Sequence, residues 1–259
     1  MNDFVNTTKN PNYGQGTYHR QIRIVYSDGL IRAALEDDLH AFELRVEHDS
    51  QRIIALNSEA VRFPFTTCPG ANDPLQAFVG LGLDLTSREY NALVNARNNC
   101  THVYDLLLSA LFHRGDSTAE SHKVEYDIQI DDETKHGSVG TLLINGVQQL
   151  EWIANGFELI GPDELAGLPL MRGFSKWAVS RYQGVQQHAA FMLQKGYLVA
   201  QARRYESNSR LGKKASDDQS MQGTCHTYSP ERSDTSHRTD NPTIEFYKGT
   251  TQLLSFVSF

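Results

Sequence analysis

The sequence predicts an α+β protein in which an antiparallel sheet is packed by helices. The hydrophobic period is two from residue 19 to about residue 65, then changes to 3.6 near residue 70. After residue 122 strand character returns, and a second helical pattern follows over 173–200. The chain of 259 residues can bury a core as one large domain or as two small ones.

The first 18 residues, rich in Asn, Thr and Gly, read as a flexible lead. HRQIRIVYS then places Ile22, Ile24 and Tyr26 on one face, and LHAFELRVEHD does the same with Phe42, Leu44 and Val46. QRIIALNSEAVRFPF is a further run, and SDG and HDSQ supply turn chemistry. A meander of about three strands is expected. Asp73-Pro74 suits an N-cap and first helical position, and SREYNALVNAR a second helix. In RNNCTHVYDLLLSALFH, Val103, Leu106, Leu107, Ala110 and Leu111 form a buried stripe, with Thr101 as N-cap. These elements make a core over residues 19–115.

DSTAESH reads as a linker to an extension over 122–205. VEYDIQIDD, SVGTLLING and VQQLEWIANGFELIG are its strands, with Asn145-Gly146 as a two-residue hairpin turn. A helix from about Gly173 to Ala200 follows, breakable at Gly184. Residues 206–241 are polar and turn-rich, a long loop. Residues 242–259 end the chain in a strand that docks.

Composition excludes several classes. Hydrophobic residues are 39% and charged residues 21%, as in soluble globular proteins. The net charge of −7, with no basic stripe, leaves no footprint for nucleic acid. No apolar run approaches the roughly 18 residues of a membrane span, and the N-terminus lacks the apolar segment of a secretory signal. A cytoplasmic protein is expected, with a small-molecule partner. Three cysteines are too few, and odd in number, for a disulfide framework, so each is a free thiol, a metal ligand or a nucleophile.

Cys68 stands in RFPFTTCPGA, where a strand ends and Pro69-Gly70 forces a turn. Its plain alternative is a small buried hydrophobe. Cys100 and His102 place two metal donors at a helix start, where the backbone is not yet helical and donors can converge. Asp105 lies one turn below His102 and is suited to orient the imidazole. Against that, Thr101 and Asp105 suffice for a simple helix start. Glu36, Asp37 and Asp38 are carboxylates at a strand boundary, a solvated turn unless the donors gather there. Cys225-His226 lies in the polar loop as a further ligand pair or an exposed accident, and the second is preferred. His40, His48 and His188 read as structural. No phosphate loop, serine-hydrolase elbow or HExxH element is present.

PFxxCPGA at 64–71 and CTHxxDL at 100–106, with GLIRAALEDDLHAFEL and GLPLMRGFSKWA, resemble an uncharacterised bacterial domain-of-unknown-function family, over about residues 17–230. More distantly, residues 36–112 resemble the iron–sulfur scaffold fold of the IscU/NifU type. That resemblance implies Asp38, Cys68 and Cys100 in place of the family's aspartate and its second and third cysteines. It departs at Glu36, where the family has its first cysteine, and at Asn99, where it has histidine. Trading a thiolate for a carboxylate favours one divalent ion, Zn²⁺ or Fe²⁺, over an assembled cluster.

The expected site therefore joins Cys68, Cys100 and His102 on one metal ion, with Glu36 or Asp38 as fourth ligand or adjacent base and Asp105 behind the histidine. The expected function is a mononuclear metal-dependent hydrolase or lyase acting on a small organic or aromatic catabolite. The alternative is a metal or iron–sulfur carrier without turnover, and the bland reading is an interaction protein with inert cysteines.

Overall fold

A computed structural model describes residues 8–115, 121–240, 243–244 and 252–259. Its centre is an antiparallel sheet of eight strands. They are β1 (Thr17–Ser27), β2 (Leu30–Glu36), β3 (Ala41–His48), β4 (Ile53–Arg62), β5 (His122–Asp131), β6 (Ser138–Ile144), β7 (Val147–Asn155) and β8 (Glu158–Gly161). The spatial order is β4-β3-β2-β1-β5-β6-β7-β8. β1 pairs with β2 on one side and β5 on the other, so the expected core and its extension share one sheet. The IscU/NifU-type likeness is not supported: the aligned stretch supplies strands on one flank of this larger sheet.

Alternation sets the two faces. Ile22, Ile24 and Tyr26 of β1, Phe42, Leu44 and Val46 of β3, and Val124, Tyr126, Ile128 and Ile130 of β5 are all buried. The helices are α1 (Asn72–Leu75), α2 (Ser87–Leu93), α3 (Thr101–Phe112), α4 (Phe174–Arg181) and α5 (Gly184–Ala200). α3 lies on β2 and β3, and α5 on β5, β6 and β7. The expected stripe Val103, Leu106, Leu107, Ala110 and Leu111 is buried.

Several local expectations need correction. Thr17 and Tyr18, assigned to a flexible lead, begin β1, and Lys9 bridges to Tyr205; residues 1–7 lie outside the description. The stretch Leu30–Glu36, not singled out as a strand, is β2. Asp73 is inside α1 rather than capping it, and Cys100, not Thr101, is the N-cap of α3, with no side-chain hydrogen bond. The expected break at Gly184 is present between α4 and α5. Asn145 and Gly146 take the left-handed angles of a tight hairpin turn (φ 50° and 77°). Of the linker expected at 116–122, residues 116–120 lie outside the described residues, and its last residue, His122, begins β5.

Residues 206–240 are irregular, with short 3₁₀ turns, and run back along the end of β4. Thr66 N–H donates to His237 O (2.9 Å) and Thr239 N–H to Pro64 O (3.0 Å). The described part of the C-terminus forms no strand, although Leu253 and Leu254 do dock, on Ala34 at the sheet face opposite the helices.

Candidate metal centre

The site begins with the turn between β2 and β3. Asp37 N–H donates to His40 O (2.8 Å), and the Asp37 carboxylate accepts from the backbone N–H groups of Leu39 (3.0 Å) and His40 (2.9 Å). An aspartate that closes its own turn in this way fixes the direction of the residues after it. The same Oδ1 meets His40 Nδ1 at 2.9 Å, and the other oxygen accepts from Tyr18 OH (2.8 Å) and from Arg20 Nε and Nη2 (3.1 and 2.7 Å). Asp37 and Arg20 are buried almost completely. Burial alone would push the carboxyl up, but His40 and the Arg20 guanidinium hold it well below the usual range.

His102 arrives from the first turn of α3. Its ring stacks on His40 with centroids 3.7 Å apart. Its Nδ1 lies 3.9 Å from Cys100 Sγ, while its Nε2 is buried with no hydrogen-bond partner. That nitrogen stands 3.7 Å from Asp37 Oδ2, too long for a hydrogen bond. Burial and the nearby His40 and Arg20 drive the His102 pKa well down, and burial lowers His40 against the pull of Asp37. Both imidazoles are therefore neutral, the form that binds metal.

Among the described residues, Asp37, His40 and His102 form the group whose ligand atoms all lie within 4.8 Å of one another. Two imidazoles and a carboxylate suit Zn²⁺ or Fe²⁺ and leave positions open for water or substrate. The unpartnered Nε2 fits such an ion. Because the Asp37 oxygens already accept six hydrogen bonds, the histidines would carry most of the coordination, with Asp37 aiming His40.

Of the expected residues, only His102 is in this group. Cys100 is adjacent to it, as N-cap of the same helix. Cys68 is outside the group, with Sγ 3.5 Å from Thr227 Oγ1, and among the described residues the donor atoms of Cys68, Cys100 and His102 do not all come within 4.8 Å of one another. Burial pushes the Cys68 thiol up to about 11 and raises Cys100 further. Asp105 does not orient His102: both its oxygens meet Lys195 Nζ of α5 (2.6 and 2.7 Å). Glu36 points to the opposite sheet face, where it accepts from Leu254 N–H and Arg62. Asp38 is bound by Arg203 Nη1 at 2.7 Å. Burial pushes its carboxyl up to about 7, but the close, shielded guanidinium favours the ionised partner of an ion pair over a free base. Asp37 and His40 were passed over in the sequence as part of an acidic turn and a structural histidine. The signal was the Asp-x-x-His spacing across a tight turn.

Residues 21–111 match the family described as "Protein of unknown function (DUF2889)". That stretch holds the whole Asp37/His40/His102 group with Cys68 and Cys100, but neither Cys225 nor His226. It is shorter than the expected span of 17–230. No curated protein matches the chain. Among solved structures, the cowpox virus protein CPXV018 (OMCP), in a crystal structure bound to human NKG2D, aligns with 71% of this chain and 95% of its own. Its identity is 9% and its TM-score 0.21, too low to relate the two folds.

Proposed function

We propose that the protein binds one Zn²⁺ or Fe²⁺ ion through His40 and His102, with Asp37 at the third position, and acts as a metal-dependent hydrolase or lyase on a small organic molecule. One observation carries the reading: a buried His102 Nε2 without a hydrogen-bond partner faces a carboxylate, and its ring stacks on a histidine whose other nitrogen is already held. Metal-binding histidines are commonly oriented by a carboxylate on the second ring nitrogen, as Asp37 does here for His40. The ion would polarise a carbonyl or lower the pKa of bound water. Tyr18 and Arg20 keep Asp37 ionised and fixed.

The test is metal analysis of protein purified without an affinity tag. Wild type should retain an equivalent of Zn or Fe that His40→Ala and His102→Ala both lose while keeping the wild-type circular dichroism spectrum. Folded variants with unchanged metal content would reject the site. Turnover of small esters, amides or hydroxy acids by the loaded protein separates an enzyme from a carrier.

A further inference from the structure

Arg62 is the last residue of β4, and the pairing there is irregular. Phe42 pairs with Ala60 but Ala41 with Arg62, so Val61 is an extra residue in β4. A bulge of this kind re-aims the side chains beside it. It sets Arg62 level with Ala41, which pairs in turn with Glu36 of β2. Directly opposed residues share a sheet face, so Arg62, Ala41 and Glu36 form a row on the face away from the helices. The methyl group in the middle leaves the guanidinium room to cross β3.

There Arg62 meets the turn that carries Asp37 and His40. Its Nη1 donates to Asp38 O at 2.8 Å, and its Nη2 donates to Asp37 O and to Glu36 Oε1 (3.2 Å) and lies 3.4 Å from His40 O. The peptide groups of Asp37 and His40 are thus gathered on one face of the sheet, while their side chains serve the metal centre on the other. The rigid, planar fork of an arginine suits this task, and a lysine ammonium lacks it. The C-terminal segment closes the arrangement. Leu254 N–H donates to Glu36 Oε2 at 2.6 Å, and Ile244 N–H donates to Asp38 O at 3.0 Å. Leu253 and Leu254 bury against Ala34, with Phe256, Val257 and Phe259 packed around them. Glu36 therefore gives one oxygen to Arg62 and the other to the C-terminal segment.

We propose that Arg62 is a positioning residue for the Asp37/His40/His102 centre, held in place by Glu36 and by the C-terminal segment on the opposite face of the sheet. The inference rests on the metal reading above. Neither Arg62 nor Glu36 belongs to the ligand group. Their action is on geometry: Asp37 and His40 come from the β2–β3 turn and His102 from α3, so the ion is held only as well as the turn is fixed against the helix. Coupling between two sites is reciprocal. If docking of the C-terminal segment strengthens metal binding, the metal strengthens docking by the same factor.

The experiment titrates Zn²⁺ into the untagged full-length protein against a chromophoric chelator. Arg62→Ala should bind zinc about 10-fold more weakly than wild type, the usual effect of losing a group that supports a ligand, with an unchanged circular dichroism spectrum. Arg62→Lys should recover only part of the affinity. Gly140→Ala, which crowds Tyr197 far from the turn in sequence, should lower the melting temperature and keep wild-type affinity, so general destabilisation does not mimic the effect. Should Arg62→Ala fold poorly, Leu253→Asp is the second variant. It drives the C-terminal segment off Ala34 without altering the sheet, and it should weaken zinc binding in the same direction. Carboxypeptidase should trim the C-terminus of zinc-loaded wild type more slowly than that of metal-free protein, and His40→Ala should abolish the difference. A wild type that binds no zinc overturns the metal reading and this inference with it. A wild type that binds zinc beside a folded Arg62→Ala of equal affinity, or, where that variant does not fold, a Leu253→Asp of equal affinity, overturns this inference alone.

Discussion

Arg20 and Asp37 form the buried ion pair on which the candidate site stands. The guanidinium and carboxylate meet at 2.7 Å, and both are shielded from solvent. Removing one member of such a pair leaves the other charge in a poor solvent, at a typical cost of about 3–5 kcal/mol. Asp37→Asn keeps the shape but loses the negative charge that faces Arg20 and one of the two acceptor oxygens that hold Arg20 and His40. We expect a loss of that size in urea denaturation, together with loss of the metal. A variant as stable as wild type would mean that Arg20 finds another counter-charge. This residue was legible in the sequence only as one of three adjacent acids. Neighbours in such a run face different ways: Glu36 reaches the outer face of the sheet, Asp37 the inner core, and Asp38 reaches Arg203. Which of the three becomes functional depends on the turn they form, and that turn depends on hydrogen bonds from Leu39 and His40 that composition does not reveal.

At the scale of elements, α3 was the most legible part of the chain. Its apolar spacing matches one buried face, so Leu107 could be placed at the centre of the stripe, and it is wholly buried. Leu107→Ala should cost about 2–5 kcal/mol and lower the melting temperature. An unchanged melting temperature would mean that the helix does not rest on β2 and β3. β2 was less legible for a physical reason. Its inner residues face the helices, while Ala34 on its outer face is covered by Leu253 and Leu254, so the usual polar alternation is absent. The contact of α5 with β6 is set by a small residue. A Cβ on Gly140 would lie 2.5 Å from the hydroxyl of Tyr197, which itself donates to Trp152 O at 2.8 Å. Gly140→Ala must push a buried ring aside or move the helix, at a cost of about 1–3 kcal/mol. Thermal denaturation beside Gly146→Ala, where nothing lies within 4 Å of the new Cβ, separates this clash from general glycine effects. The left-handed angle at Gly146 adds its own strain, so wild-type stability for Gly140→Ala is the outcome that would refute the close approach.

For the whole molecule, the buried histidines couple folding to pH. His40 and His102 meet between the β2–β3 turn and α3, and His188 of α5 packs against Phe112 and its Nε2 lies 3.1 Å from Ser109 Oγ of α3. All three hold pKa values below that of a free histidine, chiefly through burial, and His188 is lowered to about 3. The sign follows directly. Above the unfolded value of about 6.5, both folded and unfolded chains carry these rings neutral, and pH has little leverage. Below it the unfolded chain takes up protons that the folded chain refuses, so stability falls. With three such rings the slope can approach about 4 kcal/mol per pH unit. Melting temperature should be nearly flat from pH 8 to 7 and drop steeply toward pH 5. The drop should steepen further in metal-loaded protein, because protons compete with the ion for His40 and His102. Replacing His188 with Gln should flatten the acid limb without changing metal content, since His188 lies outside the Asp37/His40/His102 group. A protein equally stable at pH 7 and pH 5 would show that the rings gain protons without penalty, and the neutral, ligand-ready state of His40 and His102 would fall with it.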